Sequence, residues 1–541
     1  MQKYSVSEEK LALGIFLFVI GFIGCYWYFA FDGFYFFDDV AYSRYAWDVT
    51  QGSFTINQND TFAHRLGVFI PVAIIYSVAG ISDYATILWP LLAFVSTAFI
   101  VFFQLRKYST SIALFAVVVA SLNFYPIFFS NKLYPDSIVA FFTTAAAFVV
   151  WKVITSSTIK IFFHALVFCL LLFAAFVTKE TITFYAPFYL LVFVIDIIKK
   201  RNTKFWVYSL GIGIVLLITY FTIYYLKTGD AFYRFKVIQE GHYSFAMSYY
   251  DKSFREIIPR LTYEPFIMFI NSEMAIPLVL AFPLLFSIRK KDFINLSEFE
   301  SFWKVLCLIL LVMLWFCSTS FKFYNPLSLQ PRMYLLLIPT LSIVAATALV
   351  KADKGRIIFY GILFAVCAGI SYYFHFSSML VYALLTGYFI LRIYFNNSSL
   401  SFKIIPLLFI LLIHPVYSMI KPSDTDYKNE KEIVTKFLMD NKGNNLVLVD
   451  DQLLSGYPYY YKFVKNSHYQ YQGYKKDIPA NFEGTIFVLV NKKTFVNLAE
   501  RPPMFAIQEP EQWQKIFQKG NVILYRVNSK EDFERYKSNN E

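Results

Sequence analysis

Long apolar runs alternate with short charged breaks from residue 11 to residue 420, and beyond that point the pattern changes. A helix needs about 20 apolar residues to cross a hydrocarbon core of about 30 Å, with Trp, Tyr, Lys or Arg often at its ends. That template predicts about thirteen spans, near 11–31, 84–105, 112–129, 137–153, 161–177, 182–198, 205–226, 266–288, 302–317, 333–350, 357–374, 379–393 and 402–420. The first run follows only Lys3 and Lys10 and ends in bulky aromatics rather than a small-residue cleavage site, so it is expected to stay attached as a span. The run 66–80 is apolar but reaches only ~22 Å as a helix.

Whether 66–80 crosses decides the side of every later loop. If it lies in the interface, the clusters Arg106/Lys107, Lys199/Lys200/Arg201/Lys204, Arg289/Lys290/Lys291 and Lys351/Lys354/Arg356 all share the side of the N-terminus, as the positive-inside rule requires of cytoplasmic loops. The expectation is therefore N-terminus in, C-terminus out, and a membrane domain over 1–420 with outer loops 32–83 and 227–265. Residues 421–541 read as a small extracytoplasmic α/β domain. Its apolar runs 445–449, 485–490 and 521–527 predict buried strands, and 430–437 and 511–517 predict helices. It holds no GxGxxG and no P-loop, so nothing supports a nucleotide site.

Composition agrees with the pattern. Hydrophobic residues make up 57% of the chain, aromatics 21% and charged residues 16%, with a mean hydropathy of +0.49. These values exclude an ordinary soluble globule and mark a polytopic helical membrane protein. The net charge of +12 is accounted for by anionic lipid headgroups and topology, and calls for no nucleic acid. All five cysteines sit in apolar stretches at spacings that suit neither a zinc site nor a disulfide framework. Richness in Lys, Ile, Asn and Phe points to a bacterial inner membrane.

The charges that remain are few and grouped. Asp38 and Asp39 follow the aromatic run Phe34, Tyr35, Phe36, Phe37 and open the segment DDVAYSRYAWDVTQ, whose mix of apolar residues with Arg44 and Asp48 suits a helix lying on the membrane surface. A helix N-cap explains one such aspartate, but less readily two in a row. Asp136 opens a span in the outer turn NKLYPDS, where it too could serve as a cap. His64, Arg65, Lys179 beside Glu180, and Arg332 fall on the same predicted side. Each cation alone would read as a snorkelling anchor. Together with the carboxylates they suit one chemistry, in which a carboxylate base activates an acceptor hydroxyl or amine while cations neutralise a departing lipid-linked phosphate. The outer loop aromatics Tyr233, Phe235, Tyr243, Phe245, Tyr249 and Tyr250, among Arg234, Lys236 and Lys252, read as an interfacial belt or as a lid over an acceptor entrance.

At these residues the chain resembles the GT-C superfamily of membrane glycosyltransferases, in the branch of protein O-mannosyltransferases and the bacterial lipid A aminoarabinose transferase. The matching pieces are DDVAYSRYAWDVTQGSF, FAHRLGVFIP, YPD, TKET and QPRMYLLLIP. The resemblance implies a GT-C-like fold and a hexosyl- or pentosyltransferase that uses a polyprenyl-phosphate-linked sugar donor and a glycolipid, glycan or protein acceptor, with inversion. It gives Asp38 or Asp39 the acceptor base, Asp136 a place in shaping the site, and Arg65, Lys179 and Arg332 the donor phosphate, with His64, Glu180 and Arg44 in support. No cofactor is expected; Mg²⁺ or Mn²⁺ could meet the hard aspartate oxygens, but two side chains make a poor cage. The chain departs from relatives at His64-Arg65-Leu66-Gly67, where they often have Lys followed by prolines, and at Lys179-Glu180, where some have Lys-Gly. The alternative is a transporter or flippase of lipid-linked sugars, which would carry mid-membrane charges and repeated halves; no internal repeat is visible.

Overall fold

The computed structural model describes residues 6–34, 38–156, 160–244, 247–395, 399–421, 425–438, 443–464, 468–479, 481–494, 510 and 512–538. The aromatics 35–37 and Phe245 lie outside them. Two compact units divide the chain. The first holds residues 1–29, 55–71 and 87–420, and the second holds 30–54, 72–86 and 421–541.

The first unit is a helical bundle. Ten helices among the described residues, counting those whose first turns are 3-10, are long and apolar enough to cross a membrane, and a bent pair, Thr110–Ser121 with Phe124–Asn131 at 65°, makes an eleventh. The chain is thus an integral multi-pass membrane protein. Helices suit this setting because each satisfies its own backbone polar groups without water. The thirteen expected spans are not all found as such. Residues 379–393 form a helix, Met379–Tyr394, shorter than a full span, and 266–288 divide into Glu264–Asn271 and Ala275–Leu285. The expected interfacial run 66–80 forms the short helix Leu66–Ala79.

Proline explains both broken spans. Pro126 cannot donate to the Leu122 carbonyl, and Pro277 cannot donate to that of Glu273, so each helix loses a bond at its break. The two breaks are linked: the Glu273 carbonyl accepts from Asn123 Nδ2 at 2.9 Å as well as from the Ile276 N–H at 3.0 Å. The buried Glu273 carboxylate in turn faces His414 Nδ1 at 2.8 Å, and the His414 ring stacks on Phe124 with centroids 3.8 Å apart.

The second unit combines a five-stranded sheet with helices. Strands β1 (Asn445–Val449), β2 (Tyr469–Gly473), β3 (Thr485–Asn491), β4 (Gln514–Lys519) and β5 (Val522–Val527) lie in the order β2-β1-β3-β5-β4. β1 runs parallel to β2 and β3, and β5 runs antiparallel to β3 and β4. Leu446, Leu448, Ile486, Val488, Ile523 and Tyr525 alternate onto one face and build its core with Trp513 and Phe533. Residues 514–517, expected as part of a helix over 511–517, instead belong to β4. The tight turn through Gly520, at φ +57°, folds this segment back onto β5, and ladder bonds outweigh a helical pattern that has no core face of its own.

The same unit contains the helix Asp38–Thr50. A hydroxyl chain links other parts of it: Tyr76 to Thr86 at 2.6 Å and Thr86 to Tyr459 at 2.9 Å. Asp83 accepts from Tyr459 at 3.2 Å, Tyr427 at 3.1 Å and Lys431 at 2.7 Å. Residues 30–54 and 72–86 are thus parts of a unit otherwise made of the C-terminal 121 residues, 421–541.

Candidate active site

Pro135 and Asp136 open the helix Pro135–Thr155, and Tyr134 before them is extended, as the residue preceding proline prefers. Proline is preorganised for the first helical turn, which sets the Asp136 carboxylate at the positive end of the helix. Lys179 is the single extended residue between the helix Ile161–Thr178 and the 3-10 turn Glu180–Tyr185. Its Nζ lies 2.5 Å from Asp136 Oδ1 and 3.0 Å from Met333 Sδ. Both members of the ion pair are buried. Burial lowers the Lys179 pKa, Asp136 opposes that, and the positive charges of Arg65 and Arg332 push it down further. Asp136 Oδ2 is also buried and has no hydrogen-bond partner among the described residues.

Next along the chain, Glu180 stands between two guanidinium groups, 3.5 Å from Arg65 and 3.5 Å from Arg234. Arg234, from the helix Tyr233–Ser244, is fully buried and also donates to the Phe176 carbonyl at 2.8 Å and the Tyr220 hydroxyl at 3.2 Å. Arg332 begins another helical segment, donates to Gln330 Oε1 at 2.9 Å and lies 4.5 Å from the centroid of the Tyr134 ring. Among the described residues, four cations and two carboxylates are grouped here, and guanidinium and ammonium groups suit a phosphate.

His64 has a different part. Its Nε2 is 3.0 Å from the Gln58 carbonyl, so that nitrogen carries the proton, and Nδ1 accepts from the Tyr224 hydroxyl at 3.1 Å. Burial lowers its pKa, which keeps the ring neutral. His64 thereby fastens the loop that carries Arg65. Gly67 seats the following helix: a Cβ there would lie 2.1 Å from Thr178 Oγ1 and 3.2 Å from the Ala174 carbonyl. Leu66-Gly67 is one of the chain's departures from its relatives, and here the glycine permits close helix contact beside Lys179. Gly67→Val is expected to destabilise the protein by about 1–3 kcal/mol through overpacking, read as a lowered midpoint in detergent thermal unfolding; an unchanged midpoint would refute the close seating.

Asp38, Asp39 and Arg44 belong to the second unit. They share the helix Asp38–Thr50, where Asp38 is half-buried and Asp39 has no exposed surface. Ser43 donates to the Asp39 carbonyl at 2.7 Å, and Arg44 donates to the Tyr45 hydroxyl at 3.0 Å. Both carboxylates lie in the first turn of their helix.

The structure thus gathers Arg65, Asp136, Lys179, Glu180 and Arg332 within the first unit. It adds Arg234, which in sequence is one basic residue in an aromatic loop, with no local mark of its contact with Glu180. Arg260 likewise gives no signal in sequence. Fully buried, it donates to the carbonyls of Leu327 at 2.6 Å and Trp315 at 3.2 Å and to the Tyr334 hydroxyl at 2.9 Å, bracing the segment that bears Arg332. No group of three or more His, Cys, Asp or Glu residues able to hold a metal occurs among the described residues. A mainly apolar cavity lined by Phe94, Val101, Ser137, Leu335 and Pro339 begins one residue beyond Asp136.

No protein-family model and no curated protein matches this chain. Solved structures do. The crystal structure of ArnT from Cupriavidus metallidurans bound to undecaprenyl phosphate aligns at a TM-score of 0.58 and 12% identity, over 97% of this chain and 99% of that one. The apo structure of the same protein aligns at 0.55 and 12% identity, over 95% of this chain and 98% of that one. Over nearly its whole length, the chain has the ArnT-like GT-C fold that its sequence motifs implied.

Proposed function

We propose that this protein is a membrane glycosyltransferase that moves a sugar from a polyprenyl-phosphate-linked donor to an acceptor, with inversion at the anomeric carbon. The carrying observation is the buried Lys179–Asp136 pair with Arg65, Arg234 and Arg332 grouped near it. Grouped guanidinium and ammonium groups at the ends of apolar helices favour an anionic partner such as a lipid phosphate. The ArnT structure with undecaprenyl phosphate supports the choice of lipid.

In this reading the acceptor oxygen or nitrogen attacks the anomeric carbon as the bond to the phosphate oxygen breaks. The acceptor proton passes to a carboxylate, and the polyprenyl phosphate leaves with the electron pair. Asp38, the more exposed of the pair, is the base, and Asp39 holds the helix. Arg65, Lys179 and Arg332 neutralise the leaving phosphate, with Arg234 and Glu180 fixing their geometry; the unpartnered Asp136 Oδ2 accepts a hydroxyl of the donor sugar. Supporting groups His64 and Arg44 act on conformation rather than on substrate. The active site and residues 421–541 face the periplasm of a bacterial inner membrane.

The test is sugar transfer by the purified protein from a panel of polyprenyl-phosphate sugars to lipid, glycan and peptide acceptors. Transfer from at least one donor is expected, and no transfer across the panel would reject the proposal. Transfer is also expected to persist in EDTA; activity lost there and restored by Mg²⁺ or Mn²⁺ would assign the aspartates to a metal. A second reading, a flippase of lipid-linked sugars, draws on the pair formed by buried Glu273 and part-buried His414 at a broken span. Flipping of a labelled lipid-linked sugar in proteoliposomes, abolished by Glu273→Gln, would favour it.

A further inference from the structure

A second pocket lies wholly within the second unit, lined by Phe34, Val40, Tyr427, Tyr460, Gln452 and Asn491, with Glu430, Thr425 and Thr494 also at its wall. Two of its lining residues flank the paired aspartates: Val40 follows Asp39 directly, and Phe34 precedes the pair. The remaining polar wall comes from the C-terminal segment. Phe34 and Tyr427 have ring centroids 5.4 Å apart, and Tyr427 and Tyr460 5.5 Å apart. Among the described residues, no Lys, Arg or His lines the pocket.

Its polar groups are set in advance. Tyr460 donates to Glu430 Oε1 at 2.7 Å, and Asn491 Nδ2 donates to Glu430 Oε2 at 2.9 Å and to the Thr425 carbonyl at 2.8 Å. Gln452 Oε1 is buried with no hydrogen-bond partner among the described residues, an acceptor that gains by meeting a ligand hydroxyl. Burial, with the nearby charge of Asp450, raises Glu430 to about 7, so its carboxylate is about half protonated near neutral pH. Aromatic rings, amides and a hydroxyl without a cation suit a neutral polyol and disfavour an anion.

We propose that this pocket is an acceptor subsite that takes the hydroxyl-bearing edge of a neutral sugar, holding a glycan or glycolipid acceptor beside Asp38 and Asp39. It rests on the transferase reading and gives the C-terminal segment a part in choosing the acceptor. The acceptor is then carbohydrate rather than peptide.

The experiment uses the full chain in detergent micelles, probed by saturation-transfer NMR with methyl α-mannoside, methyl β-glucoside and methyl β-N-acetylglucosaminide. At least one glycoside is expected to bind, and Gln452→Ala to weaken it about tenfold, a single lost hydrogen bond. Because Gln452 Oε1 bonds nothing among the described residues, this variant is expected to fold as wild type; Thr494→Val is the second variant, with the same expected direction. No glycoside binding, equal binding by wild type and both variants, or binding of ethanolamine in place of the glycosides would overturn the subsite. Undecaprenyl phosphate binding, measured in parallel, is expected to be unchanged in both variants. Its absence in the wild type would count against the transferase reading, whereas its presence without glycoside binding would count against the subsite alone.

Discussion

Replacing Asp38 with asparagine is expected to lower the rate of sugar transfer by about 10²- to 10⁴-fold, the usual contribution of a positioned general base, while undecaprenyl phosphate binds as before. Asparagine keeps the size of aspartate and one of its side-chain oxygens, so loss of activity without loss of folding isolates proton transfer. The two aspartates are expected to differ. Asp39 has no exposed surface, so Asp39→Asn is expected to act mainly on stability, read as a lowered unfolding midpoint. Transfer at the wild-type rate in Asp38→Asn would remove the base from that position; loss confined to Asp39→Asn would move it one residue along.

The second large effect concerns the Lys179–Asp136 pair. Lys179→Met leaves a buried carboxylate without its cation, and Asp136→Asn leaves a buried ammonium facing two further positive groups. Each single change is expected to cost about 3–5 kcal/mol. The double variant Lys179→Met with Asp136→Asn removes both charges and is expected to recover most of that stability, because the desolvation penalty goes with the charges. It is expected to remain unable to transfer sugar and to bind undecaprenyl phosphate at least tenfold more weakly. Equilibrium unfolding of the four proteins closes the double-mutant cycle. Additive losses in stability would show that the two charges do not depend on each other, and full activity in the double variant would exclude the pair from the chemistry.

Much of the fold was legible because membrane insertion imposes a simple rule on sequence. An apolar run of span length has one stable answer in lipid, a helix, so 84–105, 161–177 and 205–226 could be placed directly. Strands β1, β3 and β5 were legible as short apolar runs. Less legible were the segments whose outcome depends on distant partners. Residues 266–288 carry enough apolar residues for a span, but the Glu273 break is held by Asn123 and His414, far away in sequence. Residues 514–517 look helical until the Gly520 turn gives them a strand to pair with.

The candidate site divides along the same line. The sequence by itself determined which charges are unusual: Asp38, Asp39, Arg65, Asp136, Lys179, Glu180 and Arg332 stand out because ionised groups at the ends of apolar runs are few and costly. Tertiary structure alone decided how those in the first unit combine. It paired Lys179 with Asp136, gave Glu180 two guanidinium partners, recruited Arg234 from an unremarkable loop and occupied both ring nitrogens of His64, a residue expected only in support. The physical reason is that hydropathy is a property of each segment, whereas a buried charge is defined by its neighbours, and those neighbours meet only when the chain folds.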